Sequence, residues 1–168
     1  MRFRFLTSIL CAAMLFVAMQ DAPVAVAGYC DPLLNGQFTA SSDGNLAKTN
    51  DVFHDERTVI STWTISTTCS ASHDCAGEVA SSQGWRASIS CDAAGQWSVR
   101  RHLDNWEPCG GGSTAPADQL IYFSPDLTGS FRFGDVQTFS GWDRSSGISG
   151  GCGINRPLII EMPFRLSR

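Results

Sequence analysis

The run from Thr58 to Cys91, TVISTWTISTTCSASHDCAGEVASSQGWRASISC, constrains the fold more than any other part of the chain. In its first segment Ser61, Trp63 and Ile65 share one face, and Thr62, Thr64 and Ser66 share the other. A period of two in β-branched and aromatic company is the signature of a half-buried strand. Cys69 and Cys75 bracket a short polar loop, SASHD. A second strand, Gly77 to Ser81, runs into the turn-type cluster Ser82-Gln83-Gly84. A third begins at Trp85 and ends at Cys91. The run therefore predicts three consecutive short strands.

The chain opens with Arg2 and Arg4, an almost wholly apolar stretch from Phe5 to Met19, and the small-x-small site Ala25-Val26-Ala27. That is the pattern of a secretory signal peptide over residues 1–27, with a single β domain expected over 28–168. The apolar stretch is shorter than the roughly 20 residues a spanning helix needs. Removing Arg2, Arg4 and Asp21 moves the formal net charge from −4 to −5. Mild acidity argues against a nucleic-acid partner.

Six cysteines remain beyond the leader: Cys30, Cys69, Cys75, Cys91, Cys109 and Cys152. An even count in an exported chain reads as three disulfides. The expected pairing is Cys69–Cys75, Cys91–Cys109 and Cys30–Cys152. No C-x-x-C pair is present and His73-Asp74 is a thin cluster, so zinc is not favoured.

Along the rest of the chain, Gly36 to Ser42 reads as a strand with Phe38 facing in, and Leu46 to Arg57 as an irregular crossover. Gln96 to Arg101 follows a turn at Asp92–Gly95. His102 to Ala117 reads as a loop, Gln119 to Ser124 as a strand, and Ser130 to Phe139 as its return with Phe131 and Phe133 on one face. Ser140 to Asn155 reads as a Gly/Ser loop. In the last strand Leu158, Ile160, Met162, Phe164 and Leu166 point one way, and Ile159, Glu161, Pro163 and Arg165 the other. Proline cannot donate to a ladder, so Pro163 places this strand at an edge or a bulge. About eight short strands without helical periodicity predict an all-β fold. A small antiparallel barrel with three disulfides is favoured over a β-sandwich.

Four groups of residues invite a chemical reading. Gly147-Ile148-Ser149-Gly150-Gly151 satisfies G-x-S-x-G, and His54, Asp104 and Ser149 fall in His–Asp–Ser order. A nucleophile elbow needs a strand-to-helix turn, and no helix follows here, so a Ser/Gly loop is the simpler account. Asp51, Asp55 and Glu56 could supply an acidic pair, yet adjacent residues on an extended chain face opposite sides. The run Gly110–Gly112 lacks the lysine and the helix of a phosphate loop. Trp106 and Trp142 are expected in polar, glycine-rich loops, DNWEPC and SGWDRS, and are the candidate ligand-binding residues. An exposed aromatic face with a polar rim suits a glycan or a peptide. The plainer alternative is that each ring closes a barrel end over a cystine.

AKTNDVFHDERTVISTWTISTTC, CAGEVASSQGW, GQWSV, NWEPC, GWDRSSGISGGCG and MPFRL, taken as a set, resemble small secreted proteins of mycobacteria and related actinobacteria. The resemblance spans roughly residues 36–166. It implies export and a cysteine-stabilised β fold, and it brings no catalytic residues.

The expected role is that of an exported, non-enzymatic binding or cell-envelope-associated protein. The alternatives are a small secreted hydrolase using Ser149 or an acidic pair, and a lipocalin-like carrier of a small apolar ligand. No cofactor or metal is expected. The partner would be a glycan, peptide, lipid or protein, and the protein a monomer with no transmembrane segment beyond the leader.

Overall fold

A computed structural model describes residues 30, 32–71, 74–126, 128 and 136–168. The leader, His73, Phe131 and Phe133 lie outside the described residues. The strands are β1 (Gly36–Ser42), β2 (Lys48–Thr49), β3 (Val52–Phe53), β4 (Val59–Ala71), β5 (Asp74–Ser81), β6 (Arg86–Cys91), β7 (Trp97–Pro108), β8 (Thr114–Pro125), β9 (Thr138–Gly147) and β10 (Ile159–Ser167). β1 and β4 to β10 pair antiparallel in that order, and β10 pairs back onto β1. The result is a closed eight-stranded barrel, the architecture favoured from the alternation of the sequence. β2 and β3 form a small hairpin on the flank of β10.

One half of the barrel is packed with apolar side chains. Phe38, Ile65, Val79, Ile89, Trp97, Val99, Phe139 and Leu166 are buried there, and Leu34 packs with them from the lead-in. Trp63, Phe123 and Phe164 meet on the axis, with ring centroids 5.2 Å apart for Trp63–Phe164 and 5.3 Å for Phe123–Phe164. Gly141 faces both phenylalanines across the sheet. A Cβ there would fall on the Tyr122 carbonyl oxygen.

The other half is polar inside. Ser42, Asp143 and Ser145 are buried at positions whose parity points inward, and Arg101 and Gln119 join them half-buried. On this side β6 and β7 part company. They pair only over Ile89–Cys91 against Trp97–Val99, and the seam above carries Trp85 and Arg101.

Three expectations are corrected. First, β7 runs on to Pro108 and β8 begins at Thr114, where a loop was expected over His102–Ala117. The two form a long ribbon that outruns the seam, with Ala115 and Ala117 buried on one face and Asp104, Asn105 and Thr114 exposed, so its polar residues are compatible with strand. Second, Ser140–Gly147 is strand, not loop. Third, β10 is paired on both sides. Pro163 lies where its partner changes from β2, at Ile160 and Glu161, to β1, at Phe164 onward. Its carbonyl accepts from the Asp43 amide at 2.9 Å. The N and C=O of one residue point to the same side of a strand, so the missing N–H faces Asp43, at the point where the pairing with β1 ends.

The disulfide pairing is corrected as well. The bridges are Cys30–Cys91, Cys69–Cys75 and Cys109–Cys152, not Cys91–Cys109 and Cys30–Cys152. Cys91 sits opposite Trp97 at the apolar end of the barrel, where the lead-in brings Cys30. Cys109 follows the far end of β7, roughly 40 Å of extended chain beyond Trp97. It meets Cys152 in the turn after β9.

Candidate functional site

The strands β7 to β10 carry two layers of functional-looking side chains, one on each face. On the inner face Asp143 is only 3% exposed. Ser42 Oγ donates to its Oδ2 at 2.7 Å and Gln119 Nε2 donates to its Oδ1 at 2.7 Å. Burial pushes the Asp143 carboxyl above the usual carboxylate range, against the pull of these two bonds and of the Arg101 charge. Arg101 in turn is held below its ordinary value by burial, with Asp143 acting the other way. Its guanidinium lies over the Trp85 ring, 4.1 Å from the centroid, and Trp85 meets Trp63 edge-on at 5.4 Å. The cavity among Trp85, Arg101, Gln119 and Asp143 is about 30 Å³, room for about one to three water molecules. This space is too small for an apolar ligand, and the surrounding axis is filled by the ring cluster.

The outer face is set by the register. Tyr122, Trp142 and Pro163 are direct neighbours on β8, β9 and β10. One row along, Arg100, Leu120, Arg144 and Glu161 follow one another across β7 to β10. Cross-strand neighbours stand about 5 Å apart, so Arg100 and Arg144 flank Leu120 at roughly 10 Å from each other. The next row holds His102, Asp118 and Ser146. Arg100, Leu120, Arg144, His102, Asp118 and Ser146 from the last two rows line a groove of about 560 Å³. Arg101 and Gln119 reach this groove as well as the inner cavity. Arg144 pairs with Glu161 at 2.9 Å, whereas Arg100 has no ion pair among the described residues. His102 Nδ1 is 2.9 Å from Asp118, and this hydrogen bond holds the imidazole above its ordinary pKa.

A second groove, of about 450 Å³, lies on the other side of Trp142. Ser140, Pro163, Arg165 and Asp43 line it. Ser140 and Arg144 belong to different grooves, and Trp142, 36% exposed, stands between these two residues on the same face of β9.

The sequence candidates are distributed as follows. Trp142 is on the outer wall, on a strand instead of a loop. Trp106, half-buried on β7, lies against Gly147, where a Cβ would stand 3.5 Å from its ring. Gly147 is five residues from Trp142, about 16 Å along β9, so the two tryptophans do not share a surface. Ser149 Oγ donates to the Asn155 carbonyl at 2.8 Å and has no histidine partner among the described residues. His54 pairs with Glu56 at 3.3 Å, and Asp104 lies 3.7 Å from His102, so the His–Asp–Ser order is not a constellation. Asp51 and Asp55 are exposed, and Glu56 bonds to His54 and Thr49. Sequence reasoning missed Arg101, Gln119 and Asp143. Their signal was parity: each stands where an apolar inward residue was due.

The fold and site define a disulfide-tied, closed β barrel with a polar half and a basic, aromatic outer wall. Among solved structures, the chain is similar to the sensor domain of PknI from M. tuberculosis in its monomer form. The TM-score is 0.58 at 14% identity, over 80% of this chain and 86% of that one. The likeness is one of fold, and the neighbour is mycobacterial, like the proteins the sequence resembles. No protein-family model matches the chain, and no curated protein matches it. No helix among the described residues is long and apolar enough to cross a membrane.

Proposed function

We propose that this chain is an extracytoplasmic, non-enzymatic binding or sensing module, and that its ligand lies along the outer wall of β7 to β10. Residues 1–27 act as the export leader and 28–168 as the exported domain. Its relatives are the small secreted actinobacterial proteins that its motifs resemble. Three disulfides favour an extracellular location, and the similar solved structure is itself described as a sensor domain.

The observation that carries the reading is Trp142. Trp142 points outward from the barrel wall and is 36% exposed, so burial accounts for only part of a large aromatic side chain at this position. Here it stands between Tyr122 and Pro163, and between Ser140 and Arg144, which line two different grooves. That arrangement fits an extended ligand crossing the wall. It does not fit a small apolar cargo held on the axis.

The test is a binding panel with the oxidised protein and its Trp142→Ala variant, probed with polysaccharides, peptides and lipid vesicles. A probe bound by the wild type and released by Trp142→Ala, with the near-ultraviolet circular dichroism otherwise preserved, supports the reading. Binding that is indifferent to Trp142 and lost on Trp106→Ala would move the site to the ribbon end of the barrel.

A further inference from the structure

We infer that the outer wall takes an acidic polysaccharide, a chain of sugars bearing carboxylate or similar anionic groups; this rests on the wall being the binding face. The charge distribution is the first support. The chain as a whole is acidic, with 12 basic and 16 acidic residues, yet Arg100, Arg101 and Arg144 line one groove, with Asp118 the one carboxylate among its described lining residues, Glu161 paired to Arg144 beside it and Asp143 beneath Arg101. A local concentration of guanidinium groups against the overall charge is a feature of the site, not of the composition. Arg100 is not committed to an ion pair among the described residues. The planar fork of an arginine matches a carboxylate with two parallel hydrogen bonds.

The second support is repetition. Arg165 lines the groove on the far side of Trp142. Ser140 and Arg144, one in each groove, are four residues apart, about 13 Å along β9. An arginine therefore stands on each side of Trp142, Arg165 in a groove that also holds Asp43 and Arg144 in its pair with Glu161. A single small anion would occupy one groove and leave the other and Trp142 unused. A polymer with acidic groups along its length uses all three.

The third support concerns the kind of polymer. A peptide that binds by adding a strand needs a free sheet edge. β8 and β9 are paired on both sides along this wall, and β10 is paired on both sides around Pro163. A sugar ring needs no backbone partner. Its apolar face lies on an indole, and Leu120 between Arg100 and Arg144 offers an apolar floor for the next unit.

The experiment is calorimetric titration of the oxidised protein with polygalacturonate, dextran, polyglutamate and monomeric galacturonate. The variants are Arg100→Gln, Arg100→Gln/Arg144→Gln and Trp142→Ala. Arg100→Gln breaks no ion pair of the described structure and so guards against loss of fold. Polygalacturonate is expected to bind at least tenfold more tightly than the other three, to weaken with added salt, and to lose tenfold or more in the double arginine variant. Polyglutamate binding as tightly as polygalacturonate would overturn the polysaccharide assignment. Dextran binding as tightly, with Trp142→Ala abolishing it and the arginine variants unchanged, would overturn the acidic class while leaving the wall as the binding face. Polygalacturonate binding untouched by any of the three variants would overturn both, and no binding of polygalacturonate would overturn the inference.

Discussion

The Arg101 guanidinium lies 4.1 Å from the centroid of the Trp85 ring, across the seam where β6 and β7 separate. It closes the barrel wall with a charged side chain where hydrogen bonds between strands stop. The same charge faces the buried Asp143 on one side and the outer groove on the other. A cation over an indole contributes about 0.5–2 kcal/mol, more where water is excluded. Arg101→Met keeps much of the volume and removes the charge, and leaves the Asp143 carboxylate without a nearby cation. It should lower stability by about 1–3 kcal/mol by urea unfolding. A change below a few tenths would mean that the stack contributes nothing.

Asp143 makes stability depend on pH in a stated direction. Burial raises its pKa in the folded protein above the unfolded value. The group's favourable contribution is then fully present below the unfolded carboxyl pKa and is lost as pH rises through the raised folded value. Asp143→Asn cannot ionise. A half-turn of the Gln119 amide would offer its oxygen to the new amide. Relative to wild type, Asp143→Asn should therefore become more stable as pH rises through that window, and the two should converge toward acid. Unfolding curves at a series of pH values measure this. A constant offset across the range would contradict it.

Gly141 has no room for a methyl group, because its Cβ would fall on the Tyr122 carbonyl oxygen. Gly141→Ala should cost about 3 kcal/mol or prevent folding, by forcing β8 and β9 apart beneath the Phe123–Phe164 contact. Gly84→Ala is the comparison. Its φ of 86° carries conformational strain but its Cβ would meet no atom, so a loss near 1 kcal/mol is expected.

The three bridges close loops of unequal length, with sequence separations of 61, 43 and 6. In the chain-entropy picture they contribute about 4, about 4 and about 2 kcal/mol respectively. Removing Cys69–Cys75 as a double alanine variant should lower the unfolding midpoint least. Peptide mapping of the oxidised protein should recover Cys30 with Cys91 and Cys109 with Cys152.

Much of the barrel is legible in the sequence because its apolar half obeys alternation. The inward set Ile160, Met162, Phe164 and Leu166, and the run from Val59 to Cys91, can be read residue by residue. β9 hides because its pattern is inverted. Its inward residues after Phe139 are Gly141, Asp143, Ser145 and Gly147, and its large apolar residue, Trp142, faces out. A polar interior and an aromatic exterior look like a loop to any rule that equates apolar with buried. The same inversion conceals the site. Arg101, Gln119 and Asp143 become meaningful only when β7, β8 and β9 are in register. The cystine pairing failed for a related reason. With β7 read as ending at Arg101, Cys109 falls near Cys91, and its full length carries the two apart.

The central claim is that the outer wall, and not the barrel axis or the ribbon end, receives the ligand. Amide chemical-shift mapping of the oxidised protein during titration with oligogalacturonate tests it most directly. Shifts are expected to concentrate on 100–102, 118–122, 140–146 and 163–165, with the Trp142 indole N–H among the largest. Thr64, Glu78 and Ser88 on the opposite wall should stay still. Shifts centred on the opposite wall, or on Trp106 and the turn that holds Cys152, would contradict the claim.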